Sequence, residues 1–456
     1  DASLYSADIN THMKFSLDNL AAELNPVREY KTLILGLSGG LDSMVLLYAV
    51  NELIKSKKIC SKLTALHINH RLQVDSDDWE RFCKIRCAEL GIPIIVKRLE
   101  SDSLKENESD LENKARKARY KIFESIIDSD SCLILAHHFD DQLETLIFRL
   151  NRGAGIKGLT AMPQSRVIGS GLLYRPLLKI EAKSLCDFAE ATELQWIVDN
   201  SNTDVAFDRN YLRHEILPRI ERRWPNYRES WAKSLELISE AREVTEEVVL
   251  ADFSSVVSDT SNKLILSSLM NLTKVRQRNV IKYWLMKIAK IEIGWNKLQH
   301  MVNEVLPAAS HSNLEININE YLICSYRNQL YLLRKYAPLP NVCHWDLKRS
   351  QKLVINNNGV LMANQTEGKG ISGKLVDNLQ VRFRQGGENF RIAGRPLKSL
   401  KKILQESKVE PWIRSRIPLI YNQDELVCVV GIGISASASA APEEIGFSLS
   451  WDFPDN

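Results

Sequence analysis

The chain has 456 residues, 44% hydrophobic and 26% charged, with 60 Lys+Arg against 57 Asp+Glu for a formal net charge of +3. At about 150 residues per domain this length predicts three domains. The near balance of charge excludes a uniformly basic coat, so any nucleic-acid surface must be local. No apolar run approaches the ~18 residues of a membrane helix. The longest, Leu426–Ile434, is a strand's length, and the N-terminus lacks the basic-then-apolar order of a secretory signal. Residues 1–12 carry no pattern and read as an expression remnant or a disordered leader. The eight cysteines are scattered, with no C-x-x-C, and read as buried or incidental thiols of a reducing cytoplasm. The expectation is a cytoplasmic protein with no membrane partner.

In chain order, apolar strands are predicted at Thr32–Leu37, Leu63–Asn69, Ile92–Leu99 and Cys132–Ala136. Helices alternate with them at Met44–Leu53, near 76–90, near 111–127 and at Asp140–Leu150. Short apolar strands separated by amphipathic helices indicate a parallel sheet with helices on both faces. Beyond it, Trp231, Leu235, Ile238, Ala241, Val244 and Val248 recur at steps of three and four, as do Val280, Trp284 and Ile288, so 219–305 is expected to be helical. Pro-, Ser- and Asn-bearing breaks within 306–345 read as linkers. From about 350, strands at Leu379–Arg384 and Glu425–Val430 and a helix at Leu397–Gln405 predict a small α+β domain, with the low-complexity SASASAA at 435–441 as a loop.

The sharpest motif is SGGLDS, Ser38–Ser43, after the first strand and opening the first helix. Small residues let backbone N–H groups converge on one spot, and the helix N-terminus adds partial positive charge, which together make a phosphate cradle. It is not a Walker A loop, since no G-x-x-x-x-G-K-[ST] occurs. LAHHFDDQLET, Leu135–Thr145, lies at the carboxyl end of a strand, where open α/β sheets bind ligands. Asp141, Glu144 and Thr145 share one helical face there and offer two carboxylates to an amine or a metal ion; Asp140 reads as a helix cap. His137 and His138 are open between ligand contact and packing. So is HINH at 67–70, where alternation puts His67 and Asn69 on one face and His70 on the other. In ENKARKARYK the stripe Leu111, Ala115, Ala118, Ile122, Ile126 is expected to be buried, which puts Lys114, Arg116, Lys117, Arg119 and Lys121 on an exposed face. DRNYLRHEILPR adds Arg209, Arg213 and Arg219, after a turn at Asp199–Asn202. Residues 381–416 hold ten Lys/Arg against three acids, a local excess of +7 that can neutralise RNA phosphates; Trp412 beside it is expected to pack in a core.

The SGGLDS loop resembles that of the PP-loop ATP pyrophosphatases, which split ATP between the α- and β-phosphates and adenylate an acceptor oxygen. SGGLDS, HINH, AHHFDDQLET, RLNRGAGIKGLTAM, RPLL, WIVDNSN, DRNYLR and LP, with RFRQGGENF and LKKILQESKVEPWIRSRIPLIYNQDELVCVVG near the end, occur in the order seen in the tRNA(Ile)-lysidine synthase family. Gln73 departs from the Arg often found there and is assigned no role. The resemblance implies a PP-loop α/β nucleotide-binding domain at 13–217, a helical domain at 218–338 and an α+β tRNA-binding domain at 345–456. It implies that ATP, with Mg²⁺, adenylates the wobble cytidine of an isoleucine tRNA with a CAU anticodon, and that free L-lysine then attacks carbon 2 to give lysidine. Motif by motif, it implies that Ser38, Gly39, Gly40, Leu41, Asp42 and Ser43 bind ATP and that Asp42 holds Mg²⁺. Asp141 and Glu144 bind lysine. Arg116 and Arg209 act with Asp42 and Asp141 at the reacting centre, and Arg391, Arg395, Lys398, Lys401, Lys402 and Arg414 contact tRNA. A monomer and a homodimer are equally compatible with the sequence. Rival readings are a tRNA thiolase, which needs placed cysteines that are missing here, a small-molecule synthetase of the same superfamily, and a non-catalytic tRNA-binding protein.

Overall fold

The computed structural model describes residues 14–71, 75–99, 111–199, 203–309 and 314–453. The leader, Gln73 and residues 200–202 of the expected turn lie outside them. The chain separates into two compact units, 1–245 and 246–456.

The first unit holds a six-stranded sheet of β1 (Thr32–Gly36), β2 (Lys62–Asn69), β3 (Ile94–Arg98), β4 (Ser131–Ile134), β5 (Ser165–Ile168) and β6 (Gly171–Tyr174), in the order β3-β2-β1-β4-β6-β5. Every neighbouring pair is parallel except β5–β6. The central strand β1 is apolar on both sides because both faces are covered. Leu33 and Leu35 enter one core with Met44, Val45 and Leu47 of helix α2 (Leu41–Lys55; α1 is Leu17–Glu23), while Ile34 enters the other with Phe123 and Ile127. Helix α3 (Ser76–Leu90) lies on the α2 side through Cys83 and Cys87, and α4 (Leu111–Ile126) lies on the opposite face. The chain therefore changes faces between β1 and β4, which are adjacent in the sheet. Their carboxyl ends open a crevice at this topological switch point.

Asn69 ends β2 in a buried network. Its side-chain amide donates to Asp77 Oδ1 (2.9 Å) and Glu80 Oε2 (3.0 Å), and Arg98 of β3 forks onto both Glu80 oxygens at 2.9 Å. This settles Asn69 as packing, with α3, β2 and β3 tied through one carboxylate. The exposed basic face expected on α4 is only partly so. Lys117 and Lys121 are exposed, but Arg116 and Arg119 are half-buried, because Phe123, rather than Ile126, joins Ala115 in the buried stripe.

After α5 (Phe139–Asn151), α6 (Ile156–Leu159) and α7 (Ala182–Ala191), the chain runs through α8 (Asp208–Tyr211), a π-helical stretch Leu212–Ile216, α9 (Leu217–Arg223) and α10 (Tyr227–Val256). Only the start of the α10 stripe is used as expected: Trp231 and Leu235 pack with Phe139 and Leu143 of α5, while Val244 is 60% exposed.

The second unit departs from the all-helical expectation for its first part. Strands Lys263–Ile265, Glu315–Ile318, Tyr321–Tyr326 and Gln329–Arg334 form an antiparallel sheet packed on helix Lys274–Ala289 around the fully buried Trp284. The segment read as linkers thus contains a hairpin. Its two-residue turn is Arg327–Asn328, both left-handed (φ 46° and 63°), the geometry that matches strand twist. The last part is α+β as expected: Leu379–Arg382 and Glu425–Val429 are strands of a five-stranded sheet, and Leu400–Glu406 is the helix. The SASASAA stretch is anchored, with Ala438 fully buried and Ser439 bridging to Ile371.

Candidate active site

The loop 38–43 leaves β1 at the crevice. Gly39 has φ +91°, and a Cβ there would sit 2.5 Å from Ile197 Cδ1 and 3.1 Å from Cys83 Sγ, so glycine is required for both conformation and space. The Ile197 N–H donates to Gly39 O at 2.9 Å, which makes residues 196–199 a strap on the loop. The Gly39 N–H donates to Ser43 Oγ (3.2 Å) and the Gly40 N–H to Ser38 Oγ (3.3 Å), while the two hydroxyls lie 3.0 Å apart. Serine oxygens thus satisfy the N–H groups that face the crevice. Gly40 caps α2 without a side chain, so the first turn of this 15-residue helix presents its dipole to the same spot. Leu41 points away into the core.

Asp42 stands in the first turn of α2 with its side chain 39% exposed. Opposite, His138 N-caps α5 in a reciprocal box: the Asp141 N–H donates to His138 Nδ1 (3.4 Å), and the His138 N–H donates to Asp141 Oδ2 (3.0 Å). With Nδ1 accepting, the neutral ring carries its proton on Nε2. That Nε2 lies 3.6 Å from Asp42 Oδ2 and 3.7 Å from Asp141 Oδ2, so the imidazole bridges the two carboxylates. Burial, against the pull of His138, raises the Asp42 carboxyl above its ordinary value. Burial also pushes on Asp141, but the imidazoles of His138 and His137, the His138 N–H and Arg213 together hold it below the usual range. Asp140 turns away, accepting from the Ala182 N–H (2.8 Å) at the start of α7 and from Arg228 (3.2 Å); it caps a helix other than its own.

Glu144 is buried beside Asp141, and burial raises its carboxyl despite a 2.7 Å ion pair with Arg213 Nε. Arg213 Nη2 also lies 3.4 Å from Asp141 Oδ1. The two carboxylates expected to hold an amine therefore already face a cation of the chain. DRNYLR contained this arginine, but its partners, about seventy residues earlier, are set only by the packing of α8 and α9 against α5. His137 differs from His138. Arg175, the arginine of RPLL, donates from Nε to His137 Nδ1 (3.3 Å), and burial with the neighbouring arginines lowers the ring to about 4, so it is neutral with Nε2–H outward. His67 Nδ1 donates to Leu37 O (2.9 Å), and burial depresses its basicity. Its Nε2 and His70 Nδ1 are buried without partners among the described residues, with His70 lowered to about 4 by burial.

Arg116 and Arg209 are half-buried, and their charges, after burial, lower Arg149 nearby. Of the C-terminal basic residues, Arg391, Arg395, Lys401 and Lys402 are exposed. Lys398 pairs with Glu406 (2.9 Å), and Arg414 donates twice to Val409 O (3.0 and 2.9 Å). Arg416, counted in the +7 excess, is buried against Asn357 and Asn358 and belongs to the packing. Trp412 packs edge-on against Tyr331, as expected of a core residue.

Protein-family models match a PP-loop domain over residues 9–220, a TilS substrate binding domain over 264–331 and a TilS substrate C-terminal domain over 379–451. The tRNA(Ile)-lysidine synthase of Coxiella burnetii is 36% identical over 95% of this chain and 96% of its own length. That of Legionella pneumophila is 34% identical over 90% and 93%, and that of Pseudomonas aeruginosa 33% over 96% and 97%. The chain belongs to the tRNA(Ile)-lysidine synthase family. Among the described residues of this lysidine synthase family member, no helix is long and apolar enough to cross a membrane.

Proposed function

We propose that this chain uses ATP to join free L-lysine to carbon 2 of the wobble cytidine of a CAU-anticodon isoleucine tRNA, releasing pyrophosphate and AMP. The observation that carries the reading is the meeting of a phosphate-shaped loop with a half-buried carboxylate pair across one imidazole, His138 Nε2 lying within 3.7 Å of both Asp42 and Asp141. The Gly39 and Gly40 N–H groups and the α2 N-terminus take the pyrophosphate, whose oxygens replace the serine hydroxyls as acceptors. Mg²⁺ is held by one or two carboxylates completed by phosphate oxygens and water. Asp42, part exposed beside the loop, fits that role and would hold the ion, which would neutralise charge on the leaving pyrophosphate. Arg116 and Arg209 supply fixed charge to the α-phosphate as the cytidine oxygen attacks.

Asp141, held ionised, is suited to recognise a lysine ammonium, which takes over part of the Arg213 contact. Lysine must lose a proton before it attacks. His137 is a poor acceptor because Arg175 already occupies its free nitrogen. Glu144, whose carboxyl is raised, is the better one. The thiolase reading loses ground, since burial lifts Cys83, Cys132 and Cys428 to about 12 and Cys87 to about 11, which leaves them protonated. The deciding measurement is pyrophosphate and AMP release with each substrate omitted in turn. Pyrophosphate release that needs the tRNA, with AMP release and sustained turnover that need lysine as well, is expected; release without tRNA refutes the reading.

A further inference from the structure

Arginines from three segments of the first unit crowd around one tyrosine. The ring of Tyr120, on α4, carries the guanidinium of Arg166 of β5 at 4.4 Å and that of Arg116 at 5.3 Å. Its hydroxyl reaches Arg175, which follows β6, is 2% exposed, and donates to Pro163 O at 2.7 Å as well as to His137. Arg149 of α5 donates to Gly158 O (2.7 Å) and Ala161 O (2.5 Å), which fixes it beside Arg116 and Arg209. Among the described residues none of Arg116, Arg149, Arg166, Arg175 and Arg209 has an ion-pair partner, whereas Arg98, Arg213, Arg228 and Arg276 all do. Carbonyls and a ring face orient these guanidinium groups without neutralising them.

Like charges held together at low exposure repel, and burying them uncompensated is costly. A fold keeps such an arrangement when an anion completes it. The pyrophosphate cradle cannot be that anion's seat for the whole cluster. It leaves β1, and β5 lies three strand positions away across β4 and β6, roughly 14 Å at the usual strand spacing. Arg116 lies close enough to His137, at the carboxyl end of β4, to lower its basicity, while Arg166 stands on the edge strand, exposed to solvent. The line from one to the other is the path of a polyanion entering the crevice rather than of a single nucleotide lying in it.

We propose that Arg166 and Arg149, braced by Tyr120, Arg116 and Arg175, seat backbone phosphates of the RNA strand that presents the target nucleotide, as a second phosphate site distinct from loop 38–43. This rests on the tRNA reading above. The planar forks of arginine suit phosphodiester oxygens, and phosphate contacts fix register while leaving sequence to be read elsewhere.

The test compares Arg166→Gln and Arg166→Lys with wild type in tRNA binding across a salt series, alongside equilibrium ATP binding and thermal melting. Arg166 is exposed, so an unchanged melting temperature is expected. Arg166→Gln should weaken tRNA binding about tenfold at low salt and flatten the slope of log K against log salt by about 0.7 to 0.9. Arg166→Lys should regain the slope but not the full affinity, since it keeps charge without the fork. ATP affinity should stay as in wild type. Weakened ATP binding with unchanged tRNA binding would assign the cluster to the nucleotide's phosphates and overturn the proposal, and so would no change in either. Wild type that fails to bind the tRNA refutes the functional reading itself, whereas wild-type binding that Arg166→Gln retains in full refutes this site alone.

Discussion

At the scale of single residues, the candidate site separates two carboxylates that look alike in sequence. Asp141 is held down by two imidazoles and an N–H, while Glu144, three residues on, is held up by burial. Lysine capture needs Glu144 ionised, and the lysine side chain stays cationic throughout the acid range. Lysine affinity should therefore start to fall at a pH above the ordinary glutamate value of about 4.3, by about tenfold per pH unit below the inflection. Lysine KM measured from pH 8 to 5 checks this. In Glu144→Gln that inflection should vanish, leaving a uniformly raised lysine KM with little change in the ATP requirement. The pair was legible because i and i+3 share a helical face. The bridging role of His138 was not: AHH offers two adjacent imidazoles, and only the cap geometry of α5 decides which one turns toward Asp42.

At the scale of elements, positions that alternate or recur were readable, and positions fixed by partners far along the chain were not. The strands of the parallel sheet announced themselves because they are buried on both faces. The hairpin at 321–334 did not, since Leu322, Ile323, Cys324 and Ser325 run inward and outward without alternation, and its turn lacks glycine. Two elements carry tests. Gly39→Ala places a side chain at φ +91° against the Ile197 strap, at about 1–3 kcal/mol of strain. ATP affinity should drop roughly tenfold or more, while tRNA affinity stays within a few-fold, as titration of each ligand would report. Glu80 ties α3 to β2 and β3, and Arg98, Lys84 and Asn69 hold its carboxyl far below the ordinary range. A depressed acid contributes stability above its unfolded value and loses it as pH falls. Glu80→Gln should therefore lower urea stability by about 2 kcal/mol at pH 7, and the gap to wild type should narrow below about pH 4.

At the scale of the whole molecule, a chain with a net charge of only +3 must bind a polyanion through local patches. Composition located one patch in 381–416, but it counted charges without their partners. Arg382 reaches Asp424 (3.4 Å), Arg384 lies by Glu388, Lys398 is paired with Glu406, and Arg416 is buried, so among the described residues the exposed charge without an ion pair is at Arg391, Arg395, Lys401, Lys402 and Lys408, with half-buried Arg414 held on a carbonyl. Lys401 and Lys402 lie on helix Leu400–Glu406, whose Leu400, Ile403 and Leu404 are buried, so both lysines project from its open side. Changing both to Ala leaves the core untouched and good helix formers in place, so folding should be preserved. If they meet phosphates, tRNA affinity should fall about evenly across tRNA sequences, and the salt slope should flatten by up to about two. Lys398→Ala, which removes a charge already neutralised by Glu406, should flatten it far less. ATP affinity should not change, because loop 38–43 belongs to the other unit, with its own core. Filter binding against salt for the double variant and for Lys398→Ala makes the comparison, and equal slopes for wild type and the double variant would leave this face merely solvated.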